Sequence, residues 1–259
     1  MRKKALAIIS FGTSYPKARR SIETLEQRLS EAMPEYDFYR AFTSEMVIRK
    51  IAREEGIQIL NPEKLICQLR QQGYTEVVCQ SLHVIPGIEY EKICAQIQNA
   101  AGEMQVKIGQ PMLTSQEDYV HVCQALLGQM PTLKEDEAFV YMGHGTEHAV
   151  NAAYSQVENT FRFLDAERVY VGTVEGFPGL DYIQKRLQAH RIRKVWIAPF
   201  LIVAGDHAQN DLAGSEADSW KSILSAAGYT VNVSLQALGD VSGIGELFVK
   251  HCIHAAYMT

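Results

Sequence analysis

Lys194–Asp211, KVWIAPFLIVAGDHAQND, is the stretch whose reading decides the fold. Its apolar run, Val195–Val203, is rich in β-branched and aromatic residues, is too short to span a membrane, and is bounded by Gly205. Such a run reads as a strand buried on both faces, of the kind a parallel sheet needs. The chain then turns through Ala204-Gly205 and presents Asp206 and His207. Ligands of open α/β sheets sit at the carboxyl ends of strands. Position alone therefore makes His207 a candidate site residue.

An earlier stretch echoes it. Glu76–Tyr90, EVVCQSLHVIPGIEY, is again an apolar strand followed by a turn, here Pro86-Gly87, with a polar residue two places after the glycine. Glu89 thus stands in the first half where His207 stands in the second. A second echo links Ser10-Phe11-Gly12-Thr13 with Gly143-His144-Gly145-Thr146, each directly after an apolar strand. The two correspondences come in the same order, which points to a duplicated α/β unit.

Read in order, the first half alternates strand and helix four times. Strands are expected at Leu6–Ser10, Tyr36–Phe42, Val77–Val84 and Val106–Leu113, with helices opening at Pro16, Met46, Pro62, Tyr90 and Tyr119. Alternation of this kind implies a parallel sheet flanked by helices. The polar segment Pro131–Asp136 is the expected boundary, giving domains 1–131 and 132–259. Four more strands follow, Ala138–Met142, Arg168–Val174, Val195–Val203 and Val231–Ala237, and a closing helix from about Ile244. The expected architecture is α/β: two similar domains, each a four-stranded parallel sheet, facing each other across a cleft.

Composition narrows the function. The 259 residues, 47% hydrophobic and 21% charged, suit a globular chain with room for one large or two modest domains. A formal net charge of −5 offers no basic excess to neutralise phosphates, so a nucleic-acid partner is not expected. Arg19-Arg20 and Arg49–Arg53 read as solvated helix faces. Five cysteines, odd in number and without a CxxC, fit a reducing compartment and inert thiols. Arg2-Lys3-Lys4 precedes an apolar stretch, Ala5–Ile9, too short for a signal peptide, and no run reaches membrane length. A cytoplasmic protein without a membrane partner is expected; a homo-oligomer stays open.

Three successive strands of the second half end in metal-ligand types: His144, Glu175 and His207. Parallel neighbours lie about 4.8 Å apart, so side chains at their tips can converge on one ion. Two imidazoles and a carboxylate suit Zn, Fe, Co or Ni better than calcium. His144 and His148 are four apart in HGTEH, but the glutamate of a zinc-peptidase helix is missing from its place. His83 lies in the third expected strand, facing cleft or core, while His121, His190, His251 and His254 fall on helices or their ends and read as solvent-facing. No P-loop, dinucleotide fingerprint or GxSxG elbow is present. The turn Phe11-Gly12-Thr13-Ser14 offers N–H and hydroxyl donors to an anionic group.

Ile9–Tyr15 (ISFGTSY), Arg40–Ser44 (RAFTS), Gln80–His83 with Glu89–Ile93 (QSLH and EYEKI), Met142–Gly145 (MGHG) and Val203–Asp211 (VAGDHAQND) resemble the anaerobic sirohydrochlorin cobaltochelatases of the CbiK type. The resemblance runs over essentially the whole chain, Asp218-Ser219-Trp220-Lys221 included. This family sits with the ferrochelatase-like class II chelatases, which implies two α/β domains and a tetrapyrrole cleft. Carried over by position, His144 is the catalytic histidine and a metal ligand, Glu175 and His207 are the other cobalt ligands, and Glu89 is a second catalytic candidate. Ser10, Phe11, Gly12, Thr13 and His83 form the candidate substrate-binding set. Two departures are visible: His144 is followed by Gly-Thr-Glu-His where relatives vary, and Glu175 by Gly-Phe-Pro.

The implied reaction inserts Co²⁺, the metal substrate, into sirohydrochlorin on the oxygen-independent route to cobalamin, with no nucleotide or organic cofactor. Periplasmic members carry an export signal; its expected lack here favours the cytoplasmic, biosynthetic role. The ligand set does not choose between Co²⁺, Fe²⁺ and Ni²⁺. A tetrapyrrole or metal carrier that does not insert, and a metallohydrolase, are the readings from other classes.

Overall fold

In the computed structural model, which describes residues 3–258, the chain forms two α/β units. Arg2 of the N-terminal basic run lies outside the described residues. The first unit comprises Met1–Thr114 together with Ile244–Thr259, and the second Ser115–Gly243.

The first unit runs β1 (Lys3–Ser10), α1 (Pro16–Ala32), β2 (Asp37–Phe42), α2 (Glu45–Glu55), α3 (Pro62–Gln71), β3 (Tyr74–Ser81), α4 (Ile88–Ala101) and β4 (Gln105–Gly109). The sheet order is β2-β1-β3-β4, all parallel. Local sequence explains the helix starts. Pro16 and Pro62 occupy first turns, where a missing N–H costs nothing, and the Ser44 and Asn61 side chains accept from Val47 N and Lys64 N. Ala5, Ala7 and Ile9 of β1 pack with Val77 and Cys79 of β3 and with Leu65, Leu69, Ile93 and Ile97 of α3 and α4.

The second unit runs α5 (Gln116–Leu127), β5 (Glu137–Gly143), α6 (Ala152–Phe163), β6 (Val169–Thr173), α7 (Leu180–Ala189), β7 (Lys194–Pro199), α8 (Trp220–Ala226) and β8 (Thr230–Val233). Its order, β6-β5-β7-β8, repeats that of the first four strands, and every pair is parallel. β5 and β6 are buried along their whole length, and β7 over most of its own, while the edge strand β8 is partly exposed. Ala138, Val140, Met142, Val195 and Ile197 meet α7 and α8 residues such as Ile183 and Leu224. The alternate residues Phe139, Tyr141, Trp196 and Ala198 line a cavity of about 150 Å³ on the opposite face, which contains none of the candidate site residues. Ser219 caps α8 by accepting from Ser222 N and donates to Gly214 O, and the Trp220 ring lies where a Cβ on Gly172 would collide at 2.8 Å. The Asp218–Lys221 segment is thus a packing element.

Three expectations change. The chain passes between units at two places, not once at 131. α5 joins the second unit, where Gln156 Nε2 donates to Gln116 Oε1 at 3.0 Å. After α9 (Ser242–Ile253), β9 (Ala256–Tyr257) pairs antiparallel with β4, so the first sheet gains a fifth strand. Second, the apolar run 195–203 outlasts its strand. β7 ends at Pro199, which has no N–H for the ladder; Phe200–Val203 continues as loop, tied by Phe200 N to Met142 O and by Leu238 N to Leu201 O. Third, β3 ends at Ser81, so His83 follows the strand. His251 is buried and bonded to Gln110 O, not solvent-facing, and Arg19 is buried in a pair with Glu55. All five cysteines are free; burial pushes the Cys123 and Cys252 thiols up to about 12, which keeps them unreactive.

Candidate active site

The second unit gathers its candidate residues at the carboxyl ends of β5, β6 and β7. Beyond the strands the ladder continues: Val174 N donates to Gly143 O at 3.1 Å and Glu175 N to His144 O at 2.8 Å. This sets the His144 and Glu175 backbones side by side. Gly145 is required between them. Its φ is +87°, and a Cβ there would stand 2.8 Å from Gly176 N and 2.9 Å from Glu175 C. Gly12 takes the matching conformation after β1, φ +86°, with a Cβ position 2.4 Å from the Phe42 ring. The two sequence echoes are therefore the same turn.

His144 and His207 meet edge to face, ring centroids 4.6 Å apart. The tautomer of each neutral ring follows from its partner. His144 Nδ1 lies 2.9 Å from Gly145 O, and a carbonyl only accepts, so Nδ1 carries the hydrogen and Nε2 the lone pair. His207 Nδ1 lies 2.6 Å from Asp211 Oδ2, which again leaves Nε2 as the ligating atom. The Glu175 carboxylate stands near the same nitrogen of His144, Oε2 lying 3.8 Å from Nδ1. The structure thus brings the two imidazoles together and holds Glu175 beside the first. Among the described residues, no three His, Cys, Asp or Glu side chains are gathered closely enough to hold an ion. The Glu175 side chain is 61% exposed.

Two residues that sequence reasoning missed support this edge. Asn151 accepts from Thr146 N at 3.0 Å and donates to Phe177 O at 2.6 Å, which clamps the loop after β5 to the loop after β6. Asp211 holds His207; the only hint was an acid four residues beyond a histidine. His148 is not at the edge chemistry: its Nδ1 accepts from Val150 N and caps the 3₁₀ turn Ala149–Asn151.

The first unit places its candidates as follows. Glu89 is in the first turn of α4, paired with Lys92 Nζ at 2.7 Å. Phe11 is 52% exposed. Ser10 and Thr13 are buried: Thr13 Oγ1 accepts from Tyr15 N and its carbonyl from Arg19 Nε, while Ser10 Oγ has no protein partner. His83 Nδ1 pairs with Ser81 Oγ at 2.8 Å, and its buried Nε2 is unpartnered. Burial lowers its pKa to about 4, against an opposing pull from Glu89, so the ring is neutral near pH 7.

Twin α/β units of one topology, with paired imidazoles at a strand-end edge, define a chelatase-type protein. Among solved structures, the sirohydrochlorin chelatase SirB from Bacillus subtilis subspecies spizizenii in complex with cobalt matches with a TM-score of 0.66 at 13% identity, covering 97% of this chain and 94% of that one. SirB from Bacillus subtilis with Fe³⁺ matches equally, TM-score 0.66 at 12% identity, over 96% and 94%.

The chain belongs to the cobalt chelatase (CbiK) family, whose model matches residues 4–257. It is 40% identical to the sirohydrochlorin cobaltochelatase of Salmonella typhimurium, over 99% of this chain and 97% of that protein. It is 32% identical to sirohydrochlorin cobaltochelatase CbiKC of Nitratidesulfovibrio vulgaris, over 97% of this chain and 90% of that protein.

Proposed function

We propose that this protein is a sirohydrochlorin cobaltochelatase, inserting Co²⁺ into sirohydrochlorin for anaerobic cobalamin synthesis without nucleotide hydrolysis. The observation that carries the reading is the family match over residues 4–257. The paired imidazoles supply the chemistry. Insertion exchanges Co²⁺ for two pyrrole protons and requires the ion to shed water.

With Nδ1 of each ring engaged within the protein, Nε2 of His144 and of His207 is the nitrogen assigned to hold a partly dehydrated ion with positions open to the macrocycle. Glu175 completes the set by turning its carboxylate. Because His144 Nδ1–H is committed to Gly145 O, a single lone pair serves both roles assigned to this residue. It holds the ion or takes a proton, never both. Transfer of Co²⁺ to the macrocycle empties His144 Nε2, which then accepts one pyrrole proton as a general base. Glu89 is assigned the second proton. His83 and the Ser10–Thr13 turn are assigned to substrate binding, Phe11 through its exposed ring and His83 as a neutral donor or acceptor. No helix among the described residues is long and apolar enough to cross a membrane.

The test is spectroscopic. Metal-free sirohydrochlorin and Co²⁺ are mixed with catalytic protein, and the absorbance change is followed against the uncatalysed rate. Many turnovers per protein are expected. One equivalent identifies a carrier, and no change excludes chelation. Because SirB was solved both with cobalt and with Fe³⁺, Fe²⁺ and Ni²⁺ are run alongside; Co²⁺ is expected to give the highest rate.

A further inference from the structure

Asp206 and His207 begin a short helical segment that immediately widens into a π-turn, Ala208–Leu212. Such turns are rare and cluster at functional sites. Here the widened turn brings a residue four places on back beside His207: Asp211 Oδ2 lies 2.6 Å from His207 Nδ1. Elsewhere in the turn, Asp206 Oδ1 accepts from Asn210 Nδ2 at 3.0 Å and Gln209 Nε2 donates to Ala204 O. The turn is pinned beneath by Ala208 and Leu212, both fully buried. The Asp211 carboxylate thus rests on a fixed backbone.

The geometry points to Asp211 as a positioning residue for metal capture: its carboxylate fixes the ring of His207 so that Nε2, not Nδ1, meets the incoming divalent cation. The inference rests on the reading of His207 as a ligand. An imidazole on a flexible side chain can offer either nitrogen and several ring orientations. A hydrogen bond from Nδ1–H to a carboxylate selects one tautomer, stops ring rotation and makes Nε2 more basic. The two candidate ligands differ in this respect. His144 is held by a neutral carbonyl, Gly145 O, and His207 by an anion. The carboxylate contact at 2.6 Å gives His207 the closer anionic restraint on its ring. Asp211 touches neither metal nor macrocycle in this scheme; it acts through His207.

The test is a double-mutant cycle on Co²⁺ binding by calorimetry, with no tetrapyrrole present, using the whole protein and its His207→Ala, Asp211→Ala and doubly substituted variants. Asp211→Ala is expected to weaken Co²⁺ binding about 10–100-fold, with no further loss when it is added to His207→Ala. Asp211→Asn, which keeps an acceptor oxygen without the charge, is expected to fall between Asp211→Ala and the unsubstituted protein. In turnover assays the loss should lie mainly in KM for Co²⁺. Equal losses from Asp211→Ala with and without His207 would overturn the proposal, since the effect would not pass through the ring. Unchanged binding in Asp211→Ala alongside weakened binding in His207→Ala would overturn it too, while leaving the metal site intact. Unchanged binding in His207→Ala would instead remove the ligand assignment on which the inference rests, and the inference with it.

Discussion

His144 and His207 stand ring edge to ring face, centroids 4.6 Å apart, each with Nδ1 already bonded within the protein. Two residues separated by more than sixty positions in sequence are therefore brought into direct contact, each with Nε2 left as the ring nitrogen not engaged by that bond. Replacing His144 by Ala removes the proposed proton acceptor and half the imidazole pair. Insertion is expected to fall about 10²- to 10⁴-fold, with the thermal unfolding midpoint unmoved, because this side chain is 43% exposed and packs little. Steady-state turnover of sirohydrochlorin and Co²⁺, with a melting curve of the same sample, checks both halves.

Asn151 ties together the two loops that carry His144 and Glu175, through Thr146 N and Phe177 O. Asn151→Ala frees both loops without touching either candidate ligand. Small misplacements of reacting groups are costly, so turnover should drop about tenfold to a hundredfold. Asn151→Asp keeps the acceptor for Thr146 N and loses the donor to Phe177 O, so its rate should fall between the two. If Asn151→Ala turned over at the unsubstituted rate, the clamp would have no part in aligning the edge.

The legible part of this molecule was what one strand or one turn encodes by itself. Buried runs marked β1, β3, β5 and β7, and the glycines at positions 12 and 145 marked matching turns because their conformation and crowding exclude a Cβ. Strand ends were read less well, since a ladder stops where its neighbour stops or an N–H is missing, as at Pro199; hydrophobicity continues past that point. The return of β9 to β4 was hidden for another reason. A two-residue antiparallel pair, Lys107 with Tyr257 and Ile108 with Ala256, has no periodicity to detect. At the candidate site, residue types singled out His144, Glu175 and His207, but not which ring nitrogen the protein itself engages. That choice belongs to Gly145 O and Asp211, partners identified only once the backbone is folded.

Glu158, only 4% exposed, is the charged centre of the second unit. It accepts from Val171 N of β6 at 2.9 Å and pairs with both Arg162 of α6 and Arg186 of α7. Glu158→Ala leaves a buried N–H without an acceptor and two guanidinium groups without their anion. A loss of about 3 kcal/mol in unfolding free energy is expected. Glu158→Gln retains an oxygen for Val171 N and should lose less. Urea denaturation followed by far-UV circular dichroism measures both, and a loss below about 1 kcal/mol for Glu158→Ala would contradict this account.

His83 gives the fold a predictable response to acid. Its enclosed ring has a pKa of about 4 in the folded chain against an ordinary 6.5, because burial penalises the charged form more than Glu89 favours it. Above about pH 6.5 the ring is neutral folded or unfolded and contributes no pH dependence. As pH falls from there toward 4, the unfolded chain takes up a proton that the folded chain refuses, so stability is lost across that window and levels off below it. Going from about pH 7 to about pH 5, this one group should cost on the order of 2 kcal/mol. His83→Gln removes the titration, so its denaturation curves at the two pH values should lie closer together by that amount. The imidazole Cε1–H resonance of His83 should titrate with a midpoint near 4; a midpoint near 6.5 would show that water reaches the ring freely.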